Sequence, residues 1–184
     1  MKMFRTMCVA LLCLIAAPAA FVHAQAAPAQ AAPADTYNHL MTMLEKGIVG
    51  AAEAMPADKY NFAPTQGEFK GVRTFGEEVK HLAEANYYFF GGFGVPGAVK
   101  EADIEKLTSK DDIVKALKDS YTFAHSAIST MTAANAFTIE GSGKQQWTRA
   151  GMAAFGIAHS MDHYGQMVEY LRMNGIIPPA SRKS

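Results

Sequence analysis

Apolar residues recur at helical spacing in four separate stretches of the chain. Behind Asp35, a residue type that caps helices, Leu40, Met43, Leu44, Ile48 and Ala51 return every three or four positions until Met55-Pro56 stops the run. A second stretch, from about Gly71 to Phe90, puts Phe75, Val79, Leu82, Ala85 and Phe89 on one side and leaves Glu77, Lys80 and Glu84 to face water. The third starts at Ser109, which with Asp112 three residues on resembles a capping box. Its core side is Ile113, Leu117, Ala124, Ile128 and Met131, and it ends near Asn135. The fourth, Trp147 to Asn174, is slim at Gly151, Ala154, Gly156, Ala158 and Gly165, so neighbouring backbones can approach it. Asn174-Gly175 supplies a left-handed end, Pro178 blocks continuation, and Arg172 in the last turn suits the helix dipole.

The connections set the order of these helices. Residues 57–70 carry Tyr60 and Phe62 beside Pro64 and Gly67, the composition of an ordered loop with apolar anchors, and residues 137–144 form a Gly-Ser loop. Gly91-Gly92-Phe-Gly94-Val-Pro96-Gly97 cannot continue a helix, and the connection then runs on to Lys110, too far for a tight hairpin. A segment of that length predicts a crossover along the bundle. With no β-rich alternation anywhere, the pattern predicts an all-α protein: a four-helix bundle with a long crossover between helices two and three.

At 184 residues the chain suits one domain that buries its core without disulfides. It opens with Lys2 and Arg5, an apolar run from Met7 to Ala17, and Val22-His23-Ala24, the pattern of a secretory signal peptide over residues 1–24 cleaved after Ala24. Residues 25–34 are Ala, Pro and Gln and read as a disordered spacer, so the bundle domain spans residues 35–184. Cys8 and Cys13 both fall in the signal peptide, and neither follows the small residue that a lipoprotein anchor needs. The mature protein is therefore expected outside the cytoplasm, periplasmic or secreted, with no thiol and no stable membrane anchor.

The chain has 17 basic and 17 acidic residues, and removal of Lys2 and Arg5 leaves 15 against 17, a net charge of −2. Without a basic patch there is no nucleic-acid partner to expect. The partner expected is a small-molecule substrate of unknown identity, and a homodimer stays open.

The chemistry concentrates in histidines. In the fourth helix His159 and His163 stand four residues apart and project from one face, so both imidazoles can reach one ion. Two imidazoles hold a transition metal weakly, and His81, on the edge of the apolar stripe of helix two, is the strongest candidate for a third ligand. His39 near the start of helix one reads as exposed, and His125 in helix three as packed or hydrogen-bonded. Against the metal stands the plain reading that all three are satisfied core residues. Asp162 and Gln166 lie within a turn of the ligands, where either can orient a ligand or a bound water; no catalytic residue is identified. Tyr60, Tyr87, Tyr88 and Trp147 can line a pocket, although burial in the core is the ordinary use of such residues.

Two segments carry a family resemblance. Phe75-Gly-Glu-Glu-Val-Lys-His81-Leu-Ala-Glu-Ala-Asn-Tyr87, and His159-Ser-Met-Asp-His163-Tyr-Gly-Gln166-Met-Val-Glu-Tyr-Leu-Arg172 with Gly175-Ile-Ile-Pro-Pro after it, resemble the DinB-like family of metal-binding four-helix bundle proteins. The resemblance covers nearly the whole of the chain from Asp35. It implies that one histidine of the second helix and two of the fourth bind a divalent metal ion, and those positions are His81, His159 and His163. Imidazole suits zinc, nickel or iron. Some relatives are thiol-dependent S-transferases or a thiol-using maleylpyruvate isomerase, in which the metal activates the thiol; this chain departs from them in its signal peptide, and an exported protein meets little of the cytoplasmic thiol pool. The function to expect is thus an exported metal-binding protein, a metal-dependent transferase or hydrolase that activates water or a thiol. The alternative is a non-catalytic metal- or ligand-binding protein of the cell envelope.

Overall fold

A computed structural model describes residues 30–140 and 146–183. The expected signal peptide and residues 25–29 of the spacer lie outside them. The helices are α1 (Pro33–Ala54), α2 (Phe75–Phe90), α3 (Glu101–Glu105), α4 (Lys110–Ile128) and α5 (Arg149–Met173), with a two-residue ribbon of β1 (Ile139–Glu140) and β2 (Trp147–Thr148). Helices three and four of the sequence pattern are α4 and α5. No helix among the described residues is long and apolar enough to cross a membrane.

Contacts between named residues give the topology. α2 packs on α4 and α5, α1 packs on the same two, and α1 and α2 face one another across the diagonal. Lys80 Nζ near the start of α2 donates to the carbonyls of Glu105 (2.9 Å) and Leu107 (3.4 Å), just before α4, and Tyr87 near its end meets Phe123 with ring centroids 5.0 Å apart. α2 and α4 therefore run parallel. The chain from Gly91 to Ser109 must return along the length of the bundle between them, and the predicted crossover is present. It is anchored on the way by the short α3, whose Ile104 is 2% exposed. Lys110 Nζ donates to the carbonyls of Glu53 and Met55 while Asn38 reaches Ser129, so α1 is antiparallel to α4. Phe89 meets Phe155 and Glu78 meets His163, so α2 is antiparallel to α5.

The helix ends differ from the pattern in instructive ways. α1 starts at Pro33, with Ala32 rather than Asp35 at the cap. Proline tolerates the first helical position because its missing N–H is unpaired there anyway, and Asp35 lies in the first turn, where negative charge suits the dipole. Pro33 and Ala34 thus belong to the domain and not to the spacer. α2 starts at Phe75 and not Gly71, because Thr74 and Glu77 form a full capping box: the Glu77 N–H donates to Thr74 Oγ1 (3.3 Å) and the Thr74 N–H to Glu77 Oε2 (2.7 Å). Ser109 caps α4 as expected, accepting from the Asp112 N–H, but the helix ends at Ile128; Met131 is buried from the turn that follows. Trp147 is in β2 and not in the last helix, which begins after Thr148 accepts a bond from the Gly151 N–H. Ile139 and Glu140 of the expected Gly-Ser loop are β1 of this ribbon, and residues 141–145 are outside the described ones.

The core takes residues from all four long helices, among them Met41, Ile48, Phe75, Leu82, Phe90, Leu117, Tyr121, Met167 and Leu171. Met41 is the inward residue of the first turns of α1. Leu40 and Met43, which the periodicity put in the core, are 40% and 63% exposed and line an apolar groove between α1 and α5 with Met161 and Tyr164. Of the small residues of α5, Gly156 makes the close approach: a Cβ there would stand 3.3 Å from Phe89 Cδ2 and 3.4 Å from Phe90 Cζ of α2. Ala154 and Ala158 are exposed, and Gly165 has open space around it. At the end of α5, Gly175 is left-handed (φ +73°), and the Gly175 and Ile176 N–H groups donate to the carbonyls of Arg172 and Leu171, satisfying the last turn.

Candidate metal centre

The antiparallel packing of α2 on α5, tightened at Gly156, brings His81 against His159 and His163. The ring centroids are 5.1 Å apart for His81 and His159, 4.6 Å for His81 and His163, and 4.5 Å for His159 and His163. One nitrogen from each ring lies within 4.8 Å of the other two. The predicted triad is thus assembled in space from two helices, and neither His39 nor His125 belongs to it. His39 is exposed. His125 is in contact with α1, its Nδ1 2.8 Å from Asn38 Oδ1 and its Nε2 3.2 Å from Glu45 Oε2.

The three rings are prepared differently. His163, 6% exposed, has its Nδ1 2.6 Å from Oε2 of Glu78, which is itself 2% exposed. With the carboxylate as acceptor Nδ1 is the donor, and in the neutral ring Nε2 then keeps its lone pair. His159 Nε2 is buried without a hydrogen-bond partner. A buried polar atom in that condition is costly, and on a ring packed against two other imidazoles it is suited to be a metal donor. The pKa of His159 is lowered by burial first and by His163 next. Burial, and then the positive charge of Arg73, pushes that of His81 down to about 4. Both rings are neutral at pH 7, as ligation requires.

Glu78 is the residue that the sequence pattern did not single out. It stands three residues before His81 on the same face of α2, and its other oxygen is 3.9 Å from Arg73 Nη1. That spacing is the signal that could have found it. Gln166, by contrast, donates to Asp162 Oδ2 (3.1 Å) and comes only to 3.5 Å of His163 Nδ1, the nitrogen already engaged by Glu78; Asp162 is exposed.

A cavity of about 470 Å³ opens on His81 and His159, walled by Ala85, Tyr87, Tyr88, Phe89, Ala98 and Val99, with Glu84 and Glu101 at its polar side. Of the four aromatics the sequence offered as pocket residues, Tyr87 and Tyr88 line it. Tyr60 is buried elsewhere, its hydroxyl donating to the Ala52 carbonyl, and Trp147 stacks near Phe155. Glu84 does not face bulk water as its helical position suggested. Its side chain is 14% exposed and one oxygen is 4.0 Å from His81 Nδ1, and burial followed by the charges of Glu101 and Glu105 raises its pKa. A second, polar cavity of about 580 Å³ beside it shares His81, Glu84 and Glu101 and adds Arg73, Glu77 and Lys80.

The family model of the DinB superfamily matches residues 40–167, well over half of the chain. The chain belongs to the DinB superfamily. Solved DinB-like proteins have the same fold: one from Bacillus cereus ATCC 10987 is 18% identical with a TM-score of 0.67, over 79% of this chain and 95% of that one. Another, from Bacillus subtilis, is 16% identical with a TM-score of 0.62, over 81% of this chain and 99% of that one. No curated protein matched the chain. In this DinB superfamily member, then, the bundle is that of its relatives, and the candidate site is built from its own histidines.

Proposed function

We propose that this DinB superfamily member is an exported metal-dependent enzyme in which His81, His159 and His163 hold one divalent ion, zinc, nickel or iron, and a small-molecule substrate enters by the cavity beside them. The observation that carries this reading is the buried, unpartnered Nε2 of His159 in a ring that packs against two further imidazoles. As simple core residues the three histidines would leave that atom desolvated without compensation. Three neutral nitrogen donors suit such an ion and leave room for a further ligand.

When bound there, the ion supplies Lewis acidity that lowers the pKa of a water or thiol and polarises a substrate oxygen. The chain's own residues do the rest. Glu78 holds the His163 proton on Nδ1 and so aims Nε2 at the centre; burial keeps His81 and His159 unprotonated. Phe89 packs on the His159 ring with centroids 5.2 Å apart and shields one side from water. Approach is open through the cavity on His81 and His159 and through the polar one on His81, which suits transferase or hydrolase chemistry on an organic substrate.

Metal analysis of the purified mature protein and its single variants tests the site. His81→Ala, His159→Ala and His163→Ala should each release most of the metal, and His39→Ala and His125→Ala should keep it. Full metal content in His81→Ala would overturn the three-histidine site. The reaction class is read by assaying the metal-loaded protein on thiols with electrophiles beside hydrolysable esters and amides. Export is tested by N-terminal sequencing of secreted material, expected to begin at Gln25; retention of residues 1–24 would count against it.

A further inference from the structure

The cavity beside the histidines has an unusual balance of surfaces. Its walls are aromatic and aliphatic, and its charged side chains are Glu84 and Glu101, with no lysine or arginine among the lining residues. Glu84 is the more telling. At 14% exposure it is largely desolvated, and among the described residues no lysine or arginine comes within ion-pair distance of it. The nearest cations are already engaged: Lys80 Nζ donates to the carbonyls of Glu105 and Leu107, and Arg73 stands by Glu78. A buried carboxylate without a counter-charge is expensive, and a ligand that brings the charge relieves it. Phe89 and Tyr88, in edge contact at 5.3 Å, add ring faces, which attract organic cations as well as apolar groups.

We propose that the cavity takes an organic cation, a protonated or quaternary amine whose apolar part lies on Phe89 and Val99 and whose charge sits by Glu84 and Glu101. The proposal names the substrate class of the centre described above and rests on that reading for the reaction, though not for the binding. The charges agree with it. The two cavity carboxylates bring −2, and the nearest cations, Lys80 and Arg73, line the adjoining cavity and are held by the carbonyls of Glu105 and Leu107 and by Glu78. An anion would meet both carboxylates, and a neutral apolar ligand would cover Glu84 without compensating it.

The test is calorimetric titration of the zinc-loaded and the metal-free full-length mature protein with three probes of similar shape: trimethyl(2-phenylethyl)ammonium, 2-phenylethanol and 3-phenylpropionate. The quaternary cation cannot coordinate a metal, so its binding reports the cavity alone. It should bind at least about tenfold tighter than the alcohol or the anion to the metal-free protein, a factor worth about 1.4 kcal/mol. Glu101→Gln, an exposed change on α3, an element that carries none of the three histidines, should weaken the cation several-fold and leave zinc content and alcohol binding as they were. Equal or tighter binding of the alcohol or the anion, no binding of any probe, or an unchanged cation affinity in Glu101→Gln would each overturn the proposal. Cation selectivity in a protein that holds no zinc would sink the metal-centre reading and leave this one standing; zinc bound with no cation preference would do the reverse.

Discussion

Oε2 of Glu78 lies 2.6 Å from Nδ1 of His163, and both side chains are almost fully removed from water. The contact ties α2 to α5 and fixes the tautomer of one proposed ligand. Replacing Glu78 by Gln keeps the shape but removes the charge that makes the ring a better donor. Zinc affinity, measured by competition with a chromogenic chelator, should fall about 10- to 100-fold while the helical content stays the same. An unchanged affinity would mean that Glu78 serves only to neutralise Arg73.

The pH response should set in lower than the ordinary imidazole value of about 6.5. Burial holds the His81 pKa near 4 and lowers that of His159, so protons begin to compete with metal only in mildly acidic solution. Metal content followed as the pH is lowered should begin to fall below about 6.5 and not at it. The same shifts act on folding. A histidine whose folded pKa is depressed takes up its proton first in the unfolded state, so the stability of the metal-free protein is intact above about pH 6.5 and declines as the pH falls from there towards 4. Thermal melts of metal-free protein across that range check the sign, and a melting temperature that rises on acidification would contradict it.

His125 should matter for stability and not for metal. Ser129 Oγ donates to the His125 carbonyl (2.7 Å) and accepts from Asn38 Nδ2 (3.0 Å), which turns Asn38 Oδ1 towards His125 Nδ1; Nε2 faces Glu45. The chain of bonds clamps the start of α1 to the end of α4. His125→Ala should destabilise the protein by about 0.5–1.5 kcal/mol in urea unfolding, the net worth of an ordinary hydrogen bond, because the half-exposed Asn38 and Glu45 can turn to water. Its metal content should equal that of the wild type.

Ile104 anchors the middle of the crossover, as Phe93 does its start. Ile104→Ala empties a site that is 2% exposed and should cost about 2–5 kcal/mol, with an unfolding midpoint well below that of the wild type. A cost below about 0.5 kcal/mol, the range of surface changes, would show that the crossover is not held to the bundle at that point.

The four helices, the N-cap at Ser109, the left-handed end at Gly175 and the crossover were legible in the sequence, because each is decided over a few residues: apolar period, turn chemistry, or a connection too long for a hairpin. The histidine pair on α5 was legible for the same reason, since i and i+4 share a face whatever the helix packs against. His81 could be named as a candidate, but only the antiparallel packing of α2 on α5 brought its ring to within 5.1 Å of His159. Helix periodicity marks which face is apolar to within about a residue, and so it assigned Leu40 and Met43 to a core that Met41 occupies. It also sent Glu84 to water and passed over Glu78, since a carboxylate on a helix is ordinarily solvated and its burial depends on which partner stands opposite. His163 and Arg73 meet Glu78 because of that partner, and the cavity walls Ala98 and Val99 reach Glu84 from the crossover. Those are long-range relationships, and no local spacing records them.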